Sequence, residues 1–142
     1  MPTMLTILAM FALQDVTAPR TKVCADGSVL LATEYCREDV VELTCALRAY
    51  AAQTPSHVTI RLEPGAGRAW VTYRSMNWPE KKGTVIVRPD VFYVTTASLP
   101  NGTLPRLTID RTRLTVEESA HAPMIGTTMT RDGICTVIPA RP

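Results

Sequence analysis

Aromatic residues make up 6% of this 142-residue chain, and histidine occurs only twice. There is no Cys-x-x-Cys, no Gly-x-Ser-x-Gly and no glycine-rich loop leading into a helical pattern. Those absences remove the usual sequence support for zinc binding, dithiol redox chemistry, serine hydrolysis and phosphate cradling. No apolar run approaches the ~20 residues needed to span a bilayer as a helix. Basic residues are scattered: the longest run is Lys81-Lys82, and the formal charge is +2. Nucleic-acid binders concentrate Lys and Arg on one face or in runs, so nucleic acid is not an expected partner. The composition gives no cofactor a home.

What the chain does have is four cysteines behind a short apolar start. Residues 5–13 (LTILAMFAL) resemble the core of an export signal, and Val16-Thr-Ala18 resembles a small-residue cleavage site. Met1-Pro-Thr-Met carries no Lys or Arg, and Pro19 would occupy the position after cleavage, where proline usually blocks the reaction. The cysteines therefore carry more of the localisation argument than the signal does. An uncleaved anchor or a first strand are the other readings of this segment. Cys24, Cys36, Cys45 and Cys135 suit a small exported domain in an oxidising compartment, periplasmic or secreted. The expected organisation is a signal over 1–18, a disulfide loop segment over 19–38 and one β-domain over 39–142.

Four cysteines allow three pairings. Cys24–Cys36 would close a short loop around Asp26-Gly27-Ser28, a natural turn. Cys45–Cys135 would join the first core strand to the last. In the entropy model these closures stabilise by roughly 3 and between 4 and 5 kcal/mol. Metal binding is the weaker alternative, because neither His57 nor His121 lies near a cysteine in sequence.

From residue 57 onward, period-2 alternation dominates. His57–Glu63 and Ala69–Tyr73 flank Pro64-Gly-Ala-Gly67 as a hairpin. Thr84–Val87 and Val91–Thr95 form a second pair, and Leu107–Ile109 and Leu114–Val116 a third. Leu99–Pro105 is rich in breakers and reads as a loop. Thr127–Met129 and Ile134–Ile138 flank Asp132-Gly133, which reads as a hairpin turn or a bulge. Val40–Tyr50 reads as a strand, with a helix as the alternative. About eight short strands at near-regular spacing predict an all-β, small antiparallel β-barrel of about eight strands. A β-sandwich is the alternative. Pro139–Pro142 reads as a frayed tail.

Few residues stand out as sites. His57 starts a strand and His121 lies in a stretch read as a polar loop, Glu117–Pro123; both are expected at the surface. Ser75, Ser98 and Ser119 lack a nucleophile context. Glu117 and Glu118 would point to opposite faces of a strand, with solvation or a turn as their ordinary fate. Gly65 and Gly67 read as turn residues. Trp70 belongs in the core or on an exposed aromatic patch, with the core favoured. Trp78, before Pro79, is the better surface contact, together with Lys81 and Lys82 in an apparent turn. Asn101-Gly-Thr103 matches a glycosylation acceptor and is expected to be simply a loop.

Two stretches carry a resemblance. Val23–Cys36 (VCADGSVLLATEYC) resembles the Cys-x-Asp-Gly-Ser…Cys segment of many exported sphingomonad-type bacterial proteins. Leu107–Arg111, followed by Gly133-Ile-Cys135, resembles the Ile-Asp-Arg…Gly-x-Cys ending of short secreted proteins of the same bacteria. The resemblance implies that the late cysteine pairs with one at the start of the domain, here Cys45. It brings no activity, so it speaks to location and architecture alone. The chain departs from the pattern at Arg111-Thr112-Arg113, where a Thr-Gly turn is usual.

The function expected is therefore a non-catalytic binding or structural accessory protein of the cell envelope. Its partner would be a protein or a small apolar ligand. An inhibitor of a secreted hydrolase, similar to lysozyme inhibitors, and a carrier of a small apolar ligand are the alternatives. The cysteine reading is directly testable. Mass spectrometry of the exported protein without reductant is expected to find no alkylatable thiol, and four such thiols would overturn it.

Overall fold

The computed structural model describes residues 19–49 and 54–139. The expected signal over 1–18, Tyr50 and the end of the tail lie outside the described residues. The chain divides between Cys36 and Arg37 into two compact units.

The first unit is a two-stranded hairpin, β1 (Thr21–Val23) and β2 (Val29–Leu31). Its turn is built by Asp26, whose carboxylate accepts hydrogen bonds from the Ser28 backbone N–H and hydroxyl. Those bonds hold the Asp26 carboxyl below the usual carboxylate range. The Cys24–Cys36 disulfide closes this unit, and the Lys22 ammonium lies 5.4 Å from the Tyr35 ring centroid. Two strands of three residues cannot bury a core, so the disulfide and turn supply the order.

The second unit is an eight-stranded closed barrel. Its strands are β3 (Val41–Arg48), β4 (Ser56–Glu63), β5 (Arg68–Tyr73), β6 (Lys81–Val87), β7 (Val91–Thr96), β8 (Leu104–Asp110), β9 (Thr115–Ala122) and β10 (Thr127–Val137). Each pairs antiparallel with the next, and β10 returns to β3. Alternation sends every second residue inward. Leu43, Cys45 and Leu47 of β3, Val58, Ile60 and Leu62 of β4, and Leu107 and Ile109 of β8 are almost wholly buried. Closure removes both sheet edges, which an open sheet of this length would leave exposed. The barrel decides against the sandwich and against a helix over 38–52, as far as that segment is described.

The seam is made by β10, which is eleven residues long. Its Thr127–Ile134 stretch pairs with β9, and Asp132–Val137 pairs with β3. Cys45 and Cys135 stand directly opposite in this register and are disulfide-bonded. Asp132-Gly133 is thus neither turn nor bulge but the middle of one strand. The backbone of β3 explains why: a Cβ at position 133 would run into the Ala46 carbonyl.

Three further expectations are corrected. Lys81-Lys82 opens β6 and is not a turn. Glu117–Ala122 is strand, continuing β9. Trp70 points outward, half-buried, because Ala69, Val71 and Tyr73 take the inward positions of β5. Its ring lies against the Arg61 guanidinium, 4.3 Å from the centroid, and Arg61 is its register partner on β4. That cation–π contact shields on the outer face what the core does not take.

The barrel's two ends differ. At one end the connections are short: 64–67, 88–90 and 111–114. The last two are tied together by Arg111, whose Nη1 donates to the carbonyls of Arg88 (2.7 Å) and Pro89 (3.3 Å). The Asp110 carboxylate accepts from the backbone N–H groups of Thr112 and Arg113, which holds it below its usual range. An Asx turn thus shapes the Arg111-Thr112-Arg113 stretch. At the other end 74–80 and 97–103 are seven residues each, and 123–126 is a short link.

Gly133 provides the test of the seam. Gly133→Ala is expected to cost about 1–3 kcal/mol by forcing β10 off β3, read as a lower midpoint in thermal denaturation. An unchanged midpoint would show that the seam tolerates a side chain there.

Candidate functional site

The long-loop end holds a cavity of about 440 Å³. That volume lies in the range of small-molecule sites, roughly 300–1,000 Å³. Its walls are mainly apolar, with Met76, Trp78, Leu99, Ala120 and Met129 prominent. Its floor is polar. Tyr73 Oη donates to Glu118 Oε2 at 2.7 Å, and Arg131 Nε donates to Glu118 Oε1 at 2.7 Å. Arg131 Nη2 lies 2.6 Å from the same Oε1.

Strand geometry assembles these three groups. Arg131 and Glu118 are register partners on neighbouring strands, both pointing inward. Tyr73 comes from β5, four strands from β9 in either direction around the barrel. The Tyr73–Glu118 hydrogen bond therefore crosses the full width of the lumen. The Glu118 side chain is 3% exposed and that of Arg131 25%. A carboxylate at that depth needs a paired cation and filled lone pairs, and here both oxygens are engaged. Burial, and then the Glu118 charge, push the Tyr73 phenol well above its usual value.

The upper wall is set by loops. Trp78 is half-buried, with its ring edge-on to Tyr73 at 6.1 Å between centroids. In the 97–103 loop, Asn101 Oδ1 accepts from both the backbone N–H and the hydroxyl of Thr103. The Asn-Gly-Thr sequence thus serves to shape this loop, and Leu99 N–H closes it onto the Thr103 carbonyl at 2.9 Å.

The residues singled out by sequence distribute unevenly. Trp78 belongs to the cavity wall. Lys81 is half-buried at the start of β6, and Lys82 is exposed beside Trp70 on the outer face. Cys24, Cys36, Cys45 and Cys135 are all disulfide-bonded. His57 and His121 are exposed, on strands separated by β3 and β10, and both point outward. His121 Nδ1 lies 3.1 Å from the Thr128 hydroxyl, and the Ser75 hydroxyl accepts from the His57 backbone N–H. Glu117 is exposed and Gly65 and Gly67 form the short-end turn. Glu118, by contrast, is neither solvated nor in a turn. It is a buried polar anchor, held by the buried Tyr73 and the half-buried Arg131, which sequence reasoning passed over.

Folding and titration are linked through Tyr73. Its phenol is held neutral in the barrel, so its contribution to stability is complete below the unfolded value near 10. That contribution is lost as pH rises further. Ultraviolet titration is expected to show one phenol that ionises only as the barrel unfolds, and Tyr73→Phe should abolish that late step. A folded barrel with every phenol ionised would contradict this.

Among the described residues, no helix is long and apolar enough to cross a membrane. No protein-family model, curated protein or solved structure matches the chain.

Proposed function

We propose that the barrel is a binding module that takes a small, largely apolar ligand through its long-loop end. The observation that carries this reading is the cavity of about 440 Å³ with apolar walls above a satisfied polar floor. Burial of apolar surface supplies the affinity, at about 25 cal/mol per Å² removed from water before ordering costs. The floor fixes orientation. Two disulfides fit an oxidising compartment, and we infer that the protein works in the bacterial periplasm or outside the cell.

The hydrolase-inhibitor reading draws less support. It calls for a protruding loop with an exposed aromatic anchor, and Trp78 instead turns onto Tyr73. In our reading the barrel holds its ligand and does not transform it. The two histidines, the natural general bases, stand on the outer wall.

Fluorescence titration of the oxidised protein with an apolar probe such as 1-anilinonaphthalene is the test. One probe per chain is expected to bind, with Trp78 emission changing in parallel. Ala120→Phe, which fills the cavity, should weaken binding at least ~10-fold for the apolar contact area removed. Ile86→Ser, on the exposed outer wall, should leave it unchanged. Binding that survives Ala120→Phe but falls with Ile86→Ser would move the site out of the lumen.

A further inference from the structure

We propose that the ligand's buried end is an uncharged hydrogen-bond acceptor, such as a ketone, aldehyde or ester, received by the free edge of the Arg131 guanidinium. This rests on the lumen being the binding site, and it adds the chemistry that the lumen selects.

The inventory of polar atoms around the cavity makes the argument. The Glu118 carboxylate at the floor already has donors on both oxygens. Glu118 Oε1 takes two N–H donors from Arg131, and Oε2 takes the Tyr73 hydroxyl. Asn101 Oδ1 takes two donors from Thr103. The donors are not used up. Arg131 docks on Glu118 through Nε and Nη2, so the opposite edge of the planar guanidinium, with Nη1, has no partner among the described residues. With Asn101 Oδ1 engaged, the amide NH₂ of the same side chain is also left to donate. A ligand carbonyl entering this site would answer the donors of Arg131 and Asn101.

Charge decides which acceptor. Arg131 is the one cation among the described residues lining the cavity, and Glu118 already balances it. A ligand carboxylate on Nη1 would bring a second negative charge within a few ångströms of Glu118, and leave the two carboxylates and Arg131 with a net negative charge partly removed from water. Like charges that close are strongly unfavourable. A ligand ammonium would face the Arg131 cation at close range. A neutral carbonyl meets neither penalty and gains a hydrogen bond from a charged donor.

The test compares three ligands of equal chain length on the full, oxidised protein: 2-undecanone, undecanoate and undecylammonium. Each displaces 1-anilinonaphthalene at neutral pH, below its aggregation threshold. The ketone is expected to bind at least ~10-fold more tightly than either ion, given the charge repulsion at this range. Glu118→Gln supplies the second arm. The amide keeps a partner for both Tyr73 and Arg131, so the barrel should fold, but the balancing charge is gone. Undecanoate should then gain at least ~10-fold and match the ketone. Undecanoate binding as tightly as the ketone in the parent protein would overturn the inference and leave the lumen reading intact. So would a Glu118→Gln variant with unaltered preference. Displacement by none of the three would overturn both.

Discussion

The second unit depends on one closure, the pairing of β10 with β3. Without it the sheet has two free edges and no lumen. The join is made by backbone first, since Gly133 lets the two strands approach where any side chain would strike the Ala46 carbonyl. The Cys45–Cys135 disulfide then fastens the same register from inside, at a pair of positions that face each other across the seam. Its 90-residue separation encloses nearly the whole barrel. In the loop-entropy picture, a closure of that length is the most effective kind of cross-link.

Closure also creates the electrostatic setting of the lumen. Once the interior is walled off, a carboxylate there is costly unless fully partnered. Glu118 meets that demand with a neighbour in register, Arg131, and a hydroxyl from the far wall, Tyr73. Polar groups so placed are expensive as stabilisers but effective at fixing geometry. Above them the walls return to Met, Leu, Ala and Trp. The result is a graded interior, with a packed apolar core toward the short-loop end, a polar layer, and an apolar chamber toward the long loops.

Much of this could be read from the chain. Alternation of Val58, Ile60 and Leu62, the glycine turn at 64–67, and the spacing of later runs led directly to an eight-stranded antiparallel barrel. So did the pairing of first and last cysteines. The failures have physical causes. Asp-Gly is a strong hairpin signal, but at 132–133 two neighbouring strands dictate an extended backbone. Glu117–Pro123 reads as a polar loop because carboxylates are rarely interior; only pairing with Arg131 and Tyr73 makes Glu118 admissible inside. Trp70 reads as a core residue, while its phase against Ala69 and Val71 points outward. The phase of β10 was legible too. Cys135 must face inward to meet Cys45, and counting back by twos puts Arg131 inside.

The bond between Tyr73 and Glu118 has a geometric consequence. Because its two side chains reach from opposite walls, it acts as a crossbar beneath the chamber. The chamber thus has a fixed bottom, and its depth is set by rigid strands rather than by loops. A guest longer than that depth must project among the loops at 74–80 and 97–103. The barrel is, in this sense, a gauge: what it holds wholly inside is decided by length before it is decided by chemistry.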